Sequence, residues 1–362
     1  MKILILANND EGLYKFRKEL IQKLLKKNNT VYISLPDGKY VSKLSEMGCK
    51  FVDTEIDRRG INPKTDLKLL FFYRKIIKRV KPELVITYTI KPNIYGGLIC
   101  RMFRIPYAVN ITGLGTAFQR SGCIKTLVTF LYKIALKKAK VVFFENTENK
   151  EIMLDMGIVK EEQTCVLNGA GVNLEEYTYC EYPSDEEIRF LFIGRVMKEK
   201  GVDELFEAAK RIKSEYKNVY FDIVGPMEDD YKGKIDSLVQ NGIIEYYGYQ
   251  QDVKPFIAKC HCFVLPSWHE GMANTNLEAA AMGRPLITSR IHGCMEAVED
   301  GVSGLLCEKE NSENLYEVLK QFVQLSEEQK RAMGEAGRKR MERVFDKKTV
   351  VKRTLEKINC NE

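Results

Sequence analysis

Two glutamates, Glu270 and Glu278, stand eight residues apart on either side of a run of small and polar residues. Carboxylates accept hydrogen bonds from hydroxyl groups, and the first backbone amides of a helix bind anions. If the run between the glutamates opens a helix, the pair suits a phosphate group that lies between two sugar rings. We therefore expect residues 270–278 to form the centre of a ligand site, with the amides of residues 274–276 at the anion.

The sequence around the two glutamates predicts the elements that position them. Short apolar runs of buried-strand type lie at both ends of the stretch 265–285. Thr275 and Glu278 have the spacing of a capping box, and Gly283 is typical of the residue that ends a helix. We predict a strand, a loop, a helix and a second strand, with Glu278 in the first turn of the helix.

A basic turn earlier in the chain is the second candidate ligand site. Arg195 and Lys200 lie in the turn 194–201, which follows an apolar strand pattern and precedes a helix pattern. A guanidinium fork and an ammonium group are well suited to bind a diphosphate. A solvated basic turn is the alternative, but the anion site expected at residues 274–276 in the same domain favours the ligand role.

Helical and short apolar strand patterns alternate along most of the chain, as in a parallel sheet covered by helices on both faces. The turn-rich, polar stretch 166–187 interrupts this alternation, which then restarts. The fold class is therefore α/β, with two doubly wound Rossmann-like domains whose ligands gather at the carboxyl ends of the strands, in a cleft that the domains face. We place the domains at residues 1–172 and 173–345, followed by a C-terminal helix at 346–362 that crosses back to the first domain.

The charge of the chain is divided unevenly. Residues 1–180 carry 30 Lys and Arg against 18 Asp and Glu, a net charge of +12, whereas residues 181–362 carry 27 against 32, a net charge of −5. A basic first half favours an anionic partner, such as a membrane surface or a phosphate-bearing substrate. The sequence contains no nucleic-acid-binding motif, so we expect no nucleic-acid partner.

Cysteine usage and the N-terminus indicate the compartment. The ten cysteines form no paired pattern, and the opening apolar run turns polar at Asn8, so we expect no signal peptide and reduced thiols in a cytoplasm. The sequence has no run of about 18 apolar residues, which is the length that a membrane-spanning helix needs. Cys260, His261 and Cys262 resemble half of a metal site, but no second cluster accompanies them, so we interpret them as strand residues.

Two predicted helices, at residues 67–79 and 124–138, combine bulky apolar side chains with basic ones. Such helices can lie in the headgroup region of an anionic bilayer, where each cation contributes about 1 kcal/mol. The alternative is that both helices only pack on the sheet and leave their lysines in water. We favour membrane contact, through Lys68, Arg74, Lys75, Lys78, Lys133 and Lys137.

The two ligand motifs together resemble the nucleotide-sugar domain of the retaining glycosyltransferases of the GT-B fold, family 4. The basic turn 194–201 matches its phosphate-binding turn, and Glu270 and Glu278 match its E-x7-E motif. Residues 88–96 and 110–115 resemble the bacterial branch that builds capsules, O-antigens and other lipid-linked glycans and includes hexosaminyltransferases. The resemblance covers nearly the whole chain.

The resemblance implies a role for each residue of the two motifs. Arg195 and Lys200 would hold the donor diphosphate and stabilise the charge of the departing nucleotide, and Glu270 would lie at the donor sugar. These three are the implied catalytic residues, and Glu278 would accept hydrogen bonds from the ribose. Further donor contacts are implied at Tyr249, Gly271, Asn274, Thr275 and Asn276.

The family's chemistry keeps the configuration of the anomeric carbon and passes through an oxocarbenium-like state. The leaving phosphate can take the acceptor's proton, so no protein base is obligatory. Many members carry a histidine in the first domain, whereas the three histidines of this chain all follow residue 260. The chain has no Asp-x-Asp motif, so we expect no metal and no cofactor besides the donor. Acceptor contacts are expected at Gly12, Arg17, Lys91, Asn110 and Thr112, where the alternative for the two cations is a plain surface charge.

These observations predict a retaining, metal-independent hexosyltransferase at the inner face of the cell membrane. It would move an N-acetylhexosamine such as GalNAc or GlcNAc, or a hexose, from a UDP-sugar to an undecaprenyl-diphosphate-linked saccharide. A UDP-sugar 2-epimerase is one alternative, since it shares the two-domain fold, but it needs acid and base groups that the first half does not offer as histidines. The other alternative is a protein that binds a nucleotide-sugar without catalysis. Such a protein would not need all four charged residues, Arg195, Lys200, Glu270 and Glu278.

Overall fold

The chain forms two compact units, Met1–Ala170 with Lys348–Glu362, and Gly171–Lys347. The computed structural model describes residues 1–57, 62–114, 118, 122–184 and 186–359. The two ends of the second unit lie side by side, because the Val172 amide donates to the Phe345 carbonyl at 2.8 Å. The chain therefore enters and leaves the second unit at one place.

A parallel sheet forms the middle of the first unit. Its strands in the described part of the chain are β1 (Lys2–Leu6), β2 (Thr30–Leu35), β3 (Lys50–Asp53), β4 (Leu84–Tyr88), β5 (Tyr107–Ile111), β6 (Val141–Phe144) and β7 (Thr164–Val166). Their order across the sheet is β3-β2-β1-β4-β5-β6-β7. The order reverses between β1 and β4, and this switch point is where doubly wound sheets bind ligands.

Helices cover both faces of this sheet, because successive strand residues point to opposite sides. Ile3 and Ile5 are buried in one apolar cluster, and Leu4 and Leu6 are buried in the other. The helices given by the described residues up to 170 include α1 (Asp10–Lys26), α2 (Val41–Glu46), α3 (Pro63–Val80), α4 (Gly97–Phe103), α5 (Cys123–Leu136) and α6 (Thr147–Asp155).

The second unit repeats the architecture with a second parallel sheet. Its strands in the described residues are β8 (Ile188–Ile193), β9 (Val219–Val224), β10 (Glu245–Tyr246), β11 (Cys262–Leu265), β12 (Leu286–Ser289) and β13 (Gly304–Cys307), in the order β10-β9-β8-β11-β12-β13. Its helices are α7 (Val202–Glu215), α8 (Lys232–Gln240), α9 (Lys254–Lys259), α10 (Asn274–Ala281), α11 (Ser312–Gln324) and α12 (Glu327–Arg340). The predicted α/β class with two doubly wound domains is confirmed.

The last helix, α13 (Lys347–Lys357), belongs almost entirely to the first unit. Its side chains Val350, Val351 and Leu355 are buried in the same apolar cluster as Leu13 and Leu24 of α1. This burial ties the C-terminus to the first unit by ordinary apolar packing. Among the helices described, none is both long and apolar enough to cross a lipid bilayer.

Arg284 holds together three segments of the second unit. It is fully buried just after α10 and donates to carbonyl oxygens at 2.9–3.4 Å. We expect Arg284→Met to lower the free energy of unfolding by about 3 kcal/mol, because it leaves several buried carbonyls without donors. Urea unfolding measures the loss. The acceptor carbonyls belong to Cys180, Glu181, Ile257, Ala258 and Gly283.

Arg290→Met is the matched control for this prediction. Arg290 is about half exposed and forms surface ion pairs with Asp300 and Glu308. Such pairs contribute at most about 1 kcal/mol, so the control should unfold close to the wild type. A loss no larger for Arg284→Met than for the control would contradict the structural role assigned to Arg284.

Candidate active site

Two loops of the second unit meet where β8 and β11 end. Lys198–Lys200 form a single turn of 3-10 helix immediately before α7, and residues 266–273 connect β11 to α10. The Trp268 amide donates to the Glu199 carbonyl at 3.0 Å and joins the two loops. The carboxyl ends of two neighbouring strands thus supply the two motifs that the sequence indicates.

Gly201 permits this close approach. Its φ is +68°, in the left-handed region, and a Cβ at this position would overlap the carbonyl oxygen of Pro266. Glycine alone tolerates both conditions, because it has no Cβ. Gly201 therefore fixes the backbone next to Lys200 against the loop that carries Glu270.

Lys200 and Glu270 form an ion pair in this loop contact. The Lys200 Nζ lies 2.5 Å from the Glu270 Oε1, and the same oxygen accepts a hydrogen bond from the Ser267 Oγ at 2.8 Å. Their side chains are 22% and 12% exposed, so the pair is largely shielded from water but still accessible to a ligand. The structure therefore brings together two residues that the sequence indicates separately.

This pairing has a chemical consequence. A lysine that is already held in place can stabilise a developing negative charge without further reorganisation. A diphosphate oxygen can share or replace the carboxylate as partner of the ammonium group, and the Glu270 carboxylate can then accept hydrogen bonds from a sugar hydroxyl. The pair is thus suited to a ligand that combines a phosphate with a sugar.

The segment after β12 supports the glutamate loop from behind and is not indicated by the sequence motifs. Gly293 has a φ of +90°, and a Cβ there would overlap the backbone of Glu270. The Ala273 amide donates to the Gly293 carbonyl at 2.7 Å. Burial, with the nearby charge of Glu270, raises the pKa of the Cys294 thiol, which therefore stays neutral. In the sequence, Gly293 is the residue that could have indicated this contact.

Helix α10 begins two residues earlier than the capping box predicts, because its N-cap is Ala273 and not Thr275, and that prediction is wrong. Ala273 is the N-cap, no side chain caps the helix, and Thr275 lies inside its first turn. The bond from the Ala273 amide to Gly293 fixes the start of the helix instead. Glu278 consequently lies at the start of the second turn and is half-buried.

The asparagines of α10 have different environments. Asn276 is fully buried, and its Nδ2 donates to the Thr288 Oγ1 at 3.1 Å, so its side chain ties the helix to β12. Asn274 is half-buried, and its Oδ1, like that of Asn276, is buried without a hydrogen-bond partner among the described residues. An unsatisfied buried acceptor is costly and fits a site that a ligand donor completes. Gly271 and Thr275 lie half-buried on either side.

Arg195 follows β8, and Tyr249 lies beyond β10, which β9 separates from β8 in the sheet. Arg195 is 48% exposed and its Nη1 lies 3.3 Å from the Glu228 Oε1, so it pairs with Glu228 rather than with Glu270. Tyr249 is also 48% exposed and follows β10. The Gly225 amide donates to the Gly248 carbonyl at 2.7 Å, which fixes the Tyr249 loop beside the end of β9.

The two cations predicted for the acceptor, Arg17 and Lys91, lie in partly buried ion pairs, so neither is the plain solvated surface charge of the alternative. The Arg17 Nη2 lies 2.6 Å from the Glu145 Oε1, with exposed fractions of 11% and 9%. The Lys91 Nζ lies 2.7 Å from the Asp66 Oδ1, with exposed fractions of 14% and 18%. Both pairs are in the first unit, where Arg17 also lies over the Tyr88 ring at the end of β4.

The other residues predicted to contact the acceptor form hydrogen bonds within the first unit or lie at its strand ends. The Gly12 amide donates to the Asn9 Oδ1 at 2.8 Å, which caps α1. Asn110 is 4% exposed, and its Nδ2 donates to the Thr87 carbonyl at 3.1 Å, so its side chain links β5 to β4. Thr112 is half-buried just after β5, and Gly115, the last residue of the predicted motif, lies outside the described residues.

His261 has a structural role, although of the three residues interpreted as strand residues only Cys262 is part of β11. Its Nδ1 accepts from the Arg189 amide at 3.0 Å, and its Nε2 lies 2.9 Å from the Ser184 carbonyl oxygen. Burial raises the pKa of Cys260 to about 12 and that of Cys262 well above its usual range. Within the described part of the chain, no three His, Cys, Asp or Glu side chains converge as metal ligands would.

The chain is similar to two bacterial glycosyltransferases over most of its length. The chain is 29% identical over 334 residues, 88% of each chain, to the Campylobacter jejuni N,N'-diacetylbacillosaminyl-diphospho-undecaprenol alpha-1,3-N-acetylgalactosaminyltransferase. It is 29% identical over 268 residues, 69% of this chain and 68% of the relative, to the Escherichia coli UDP-Gal:alpha-D-GlcNAc-diphosphoundecaprenol alpha-1,3-galactosyltransferase.

Solved structures share the whole fold. A crystal structure of Anabaena HepE in complex with UDP and glucose superposes with a TM-score of 0.82 at 17% identity and covers 100% of both chains. A glycosyltransferase from Rickettsia africae superposes with a TM-score of 0.81 at 19% identity and covers 100% of this chain and 99% of its own.

Two family models match most of the chain. Residues 2–146 match the glycosyl transferase 4-like model, and residues 181–340 match the model of glycosyl transferases group 1. The second match contains both motifs of the candidate active site. The chain therefore belongs to the GT-B glycosyltransferases of family 4, with a family-4-like domain followed by a group 1 domain.

Proposed function

We propose that this glycosyltransferase moves a sugar, with retention, from a UDP-sugar to an undecaprenyl-diphosphate-linked saccharide. The ion pair between Lys200 and Glu270 is the observation that carries the proposal. It places a side chain suited to bind a diphosphate next to one suited to bind a sugar hydroxyl. The named activities of the Campylobacter and Escherichia coli relatives support the lipid-linked acceptor, and one of them names a UDP-sugar donor. N-acetylhexosamines such as GalNAc or GlcNAc are the first donors to test, then hexoses.

In the proposed mechanism, residues of the second unit stabilise the negative charge of the leaving group. As the glycosidic bond to the diphosphate breaks, negative charge grows on the UDP phosphate and positive charge on the sugar ring. Lys200, Arg195 and the N-terminus of α10 stabilise the phosphate charge. The acceptor hydroxyl attacks the same face of the anomeric carbon, and its proton passes to the leaving phosphate oxygen.

No metal and no other cofactor has a part in this proposal, since two side-chain cations and a helix end carry the charge stabilisation. The test is a donor panel with a synthetic polyprenyl-diphosphate-linked saccharide, with and without EDTA. The anomeric configuration of the product is read by NMR. An inverted product would contradict the retaining mechanism, and loss of transfer in EDTA would contradict the metal-free one.

We also propose that the first unit binds the inner face of the cell membrane through α3 and α5. Charge supports this surface, because Asp66 is the only acidic residue in the two helices and it is paired with Lys91. Five bulky apolar side chains on the same helices are 48–58% exposed. They are Leu67, Phe71, Ile124, Leu127 and Phe130.

The exposed apolar side chains occupy the earlier parts of both helices, and most of the basic ones occupy the later parts. Helices that connect parallel strands begin at the carboxyl edge of the sheet. The apolar side chains therefore lie towards the edge that binds ligands, where they would enter the bilayer while the basic side chains contact headgroups. The cations are Lys68, Arg74, Lys75, Lys78 and Lys133, with Lys137 directly after α5.

We expect the double variant Phe71→Ser with Phe130→Ser to bind phosphatidylglycerol vesicles at least about tenfold more weakly. Each ring would lose about 1 kcal/mol of apolar burial in the bilayer. Vesicle co-sedimentation measures the affinity. Val302→Ser, at a residue of the second unit that is 50% exposed, is the control. Equal binding by the double variant and the control would contradict this membrane surface.

A further inference from the structure

Thr89 directly follows β4, one of the two strands between which the order of the first sheet reverses. Its φ is +73°, in the left-handed region, and among the described residues it is the only β-branched one with such a φ. A β-branched side chain crowds the backbone in this conformation. Strained positions of this kind are concentrated at active sites and ligand contacts, and the end of β4 is where doubly wound sheets bind ligands.

The hydroxyl group of Thr89 is buried and has no hydrogen-bond partner among the described residues, although the residue as a whole is only half-buried. Thr87, two positions earlier in β4, shows the contrast, because its Oγ1 donates to the Asn93 Oδ1 at 2.7 Å. A buried hydroxyl without a partner costs free energy and is uncommon in native proteins. A ligand that brings a donor or an acceptor to Thr89 would remove this cost.

The turn after Thr89 holds the residue in this conformation. The Thr89 carbonyl accepts from the Asn93 amide at 2.9 Å, and Pro92–Gly96 form a single turn of π-helix before α4. The Asn93 side chain ties this turn to the sheet, since its Nδ2 donates to the Asn110 carbonyl at 2.9 Å and its Oδ1 accepts from Thr87. Such π turns are rare and are frequent at functional sites. The backbone of Thr89 is therefore fixed from both sides.

We infer that Thr89 binds the saccharide of the acceptor, and that a polar group of this saccharide completes the hydrogen bonding of the Thr89 Oγ1. This inference rests on the proposed function, because the ligand is the acceptor of that reaction. The neighbours of Thr89 suit a ligand with many hydroxyl groups, which both donate and accept hydrogen bonds. The Arg17 guanidinium lies over the Tyr88 ring, 5.2 Å from the centroid, and Lys91 is paired with Asp66. The residues suited to the nucleotide-sugar belong to the second unit.

The test is Thr89→Val, since valine keeps the β-branched shape of threonine and lacks the hydroxyl group. We expect this variant to bind the synthetic polyprenyl-diphosphate-linked saccharide of the donor panel about fivefold more weakly, the value of one hydrogen bond, with an unchanged KM for the donor. Calorimetry on the full chain measures acceptor binding. The thermal unfolding temperature should stay the same or rise, because the substitution removes an unpaired buried hydroxyl. Thr89→Ser keeps the hydroxyl and should bind the acceptor within about twofold of the wild type.

Thr87→Val is the matched control for stability, and it should lower the unfolding temperature because it removes the hydrogen bond to Asn93. Unchanged acceptor binding by Thr89→Val, or an unfolding temperature lowered as in the control, overturns the inference and leaves the proposed function standing. An equal loss for donor and acceptor overturns it as well. If the wild type binds the lipid-linked saccharide but transfers no sugar to it, the proposed function is wrong, and acceptor binding by Thr89→Val still decides the inference. A wild type that does not bind this saccharide contradicts both.

Discussion

Replacing Lys200 by alanine is expected to lower the kcat of sugar transfer by about 10²- to 10³-fold, the usual effect of removing one group that stabilises a developing anion. The ammonium group would interact more strongly with the departing diphosphate than with the bound donor, so kcat should fall more than KM rises. The variant also leaves Glu270, which is 12% exposed, without its cation. Steady-state kinetics with saturating acceptor measure both constants.

Lys198→Ala is the matched control for this experiment. Lys198 lies in the same turn and carries the same charge, but its side chain is exposed and its Nζ lies over the Trp268 ring, 5.4 Å from the centroid. The control should retain transfer within a few fold of the wild type. Comparable losses for the two lysines would mean that the general positive charge of the turn matters and the contact with Glu270 does not.

Gly201→Ala is expected to lower transfer by about 100-fold and to destabilise the second unit. Alanine at a φ of +68° is strained by about 1 kcal/mol or more, and its Cβ would overlap the Pro266 carbonyl. The turn must therefore move away from the loop of Glu270, and a shift of about 1 Å in a catalytic group can cost about 10² in rate. Kinetics and thermal unfolding of the same preparation measure the two effects.

Gly301→Ala separates backbone strain from the loop contact. Gly301 has a φ of +75°, but no atom lies within 4 Å of the place where its Cβ would be. This control carries the same conformational strain without the overlap, so it should lose stability and keep its activity. If Gly201→Ala also kept its activity, the packing of the two loops would have no part in catalysis.

The sequence indicated the residues of the candidate active site more fully than their contacts. Glu270 and Lys200 were each predicted from local motifs, but 70 positions separate them, and no local pattern encodes their ion pair. The start of α10 was predicted two residues too late, because Thr275 and Glu278 have capping-box spacing while a long-range bond from Ala273 fixes the helix. Local propensity yields to tertiary contacts at such positions.

The first unit shows the same limit. The alternation of helix and strand patterns was enough to predict two doubly wound domains, since that pattern recurs in every unit of the chain. The same patterns did not show that Arg17 pairs with Glu145, 128 positions away, or that Lys91 pairs with Asp66. Arg17 and Lys91 were therefore predicted as ligands or surface charges, whereas each forms a partly buried ion pair.

The most direct test of the transferase assignment is the release of UDP in the presence and absence of a polyprenyl-diphosphate-linked saccharide. The proposed transferase releases UDP only when both donor and lipid-linked acceptor are present, and Lys200→Ala abolishes nearly all of that release. An isomeric UDP-sugar formed without acceptor would contradict the assignment and indicate an epimerase. No UDP release with any donor and acceptor of the panel would contradict it as well and indicate a nucleotide-sugar binder.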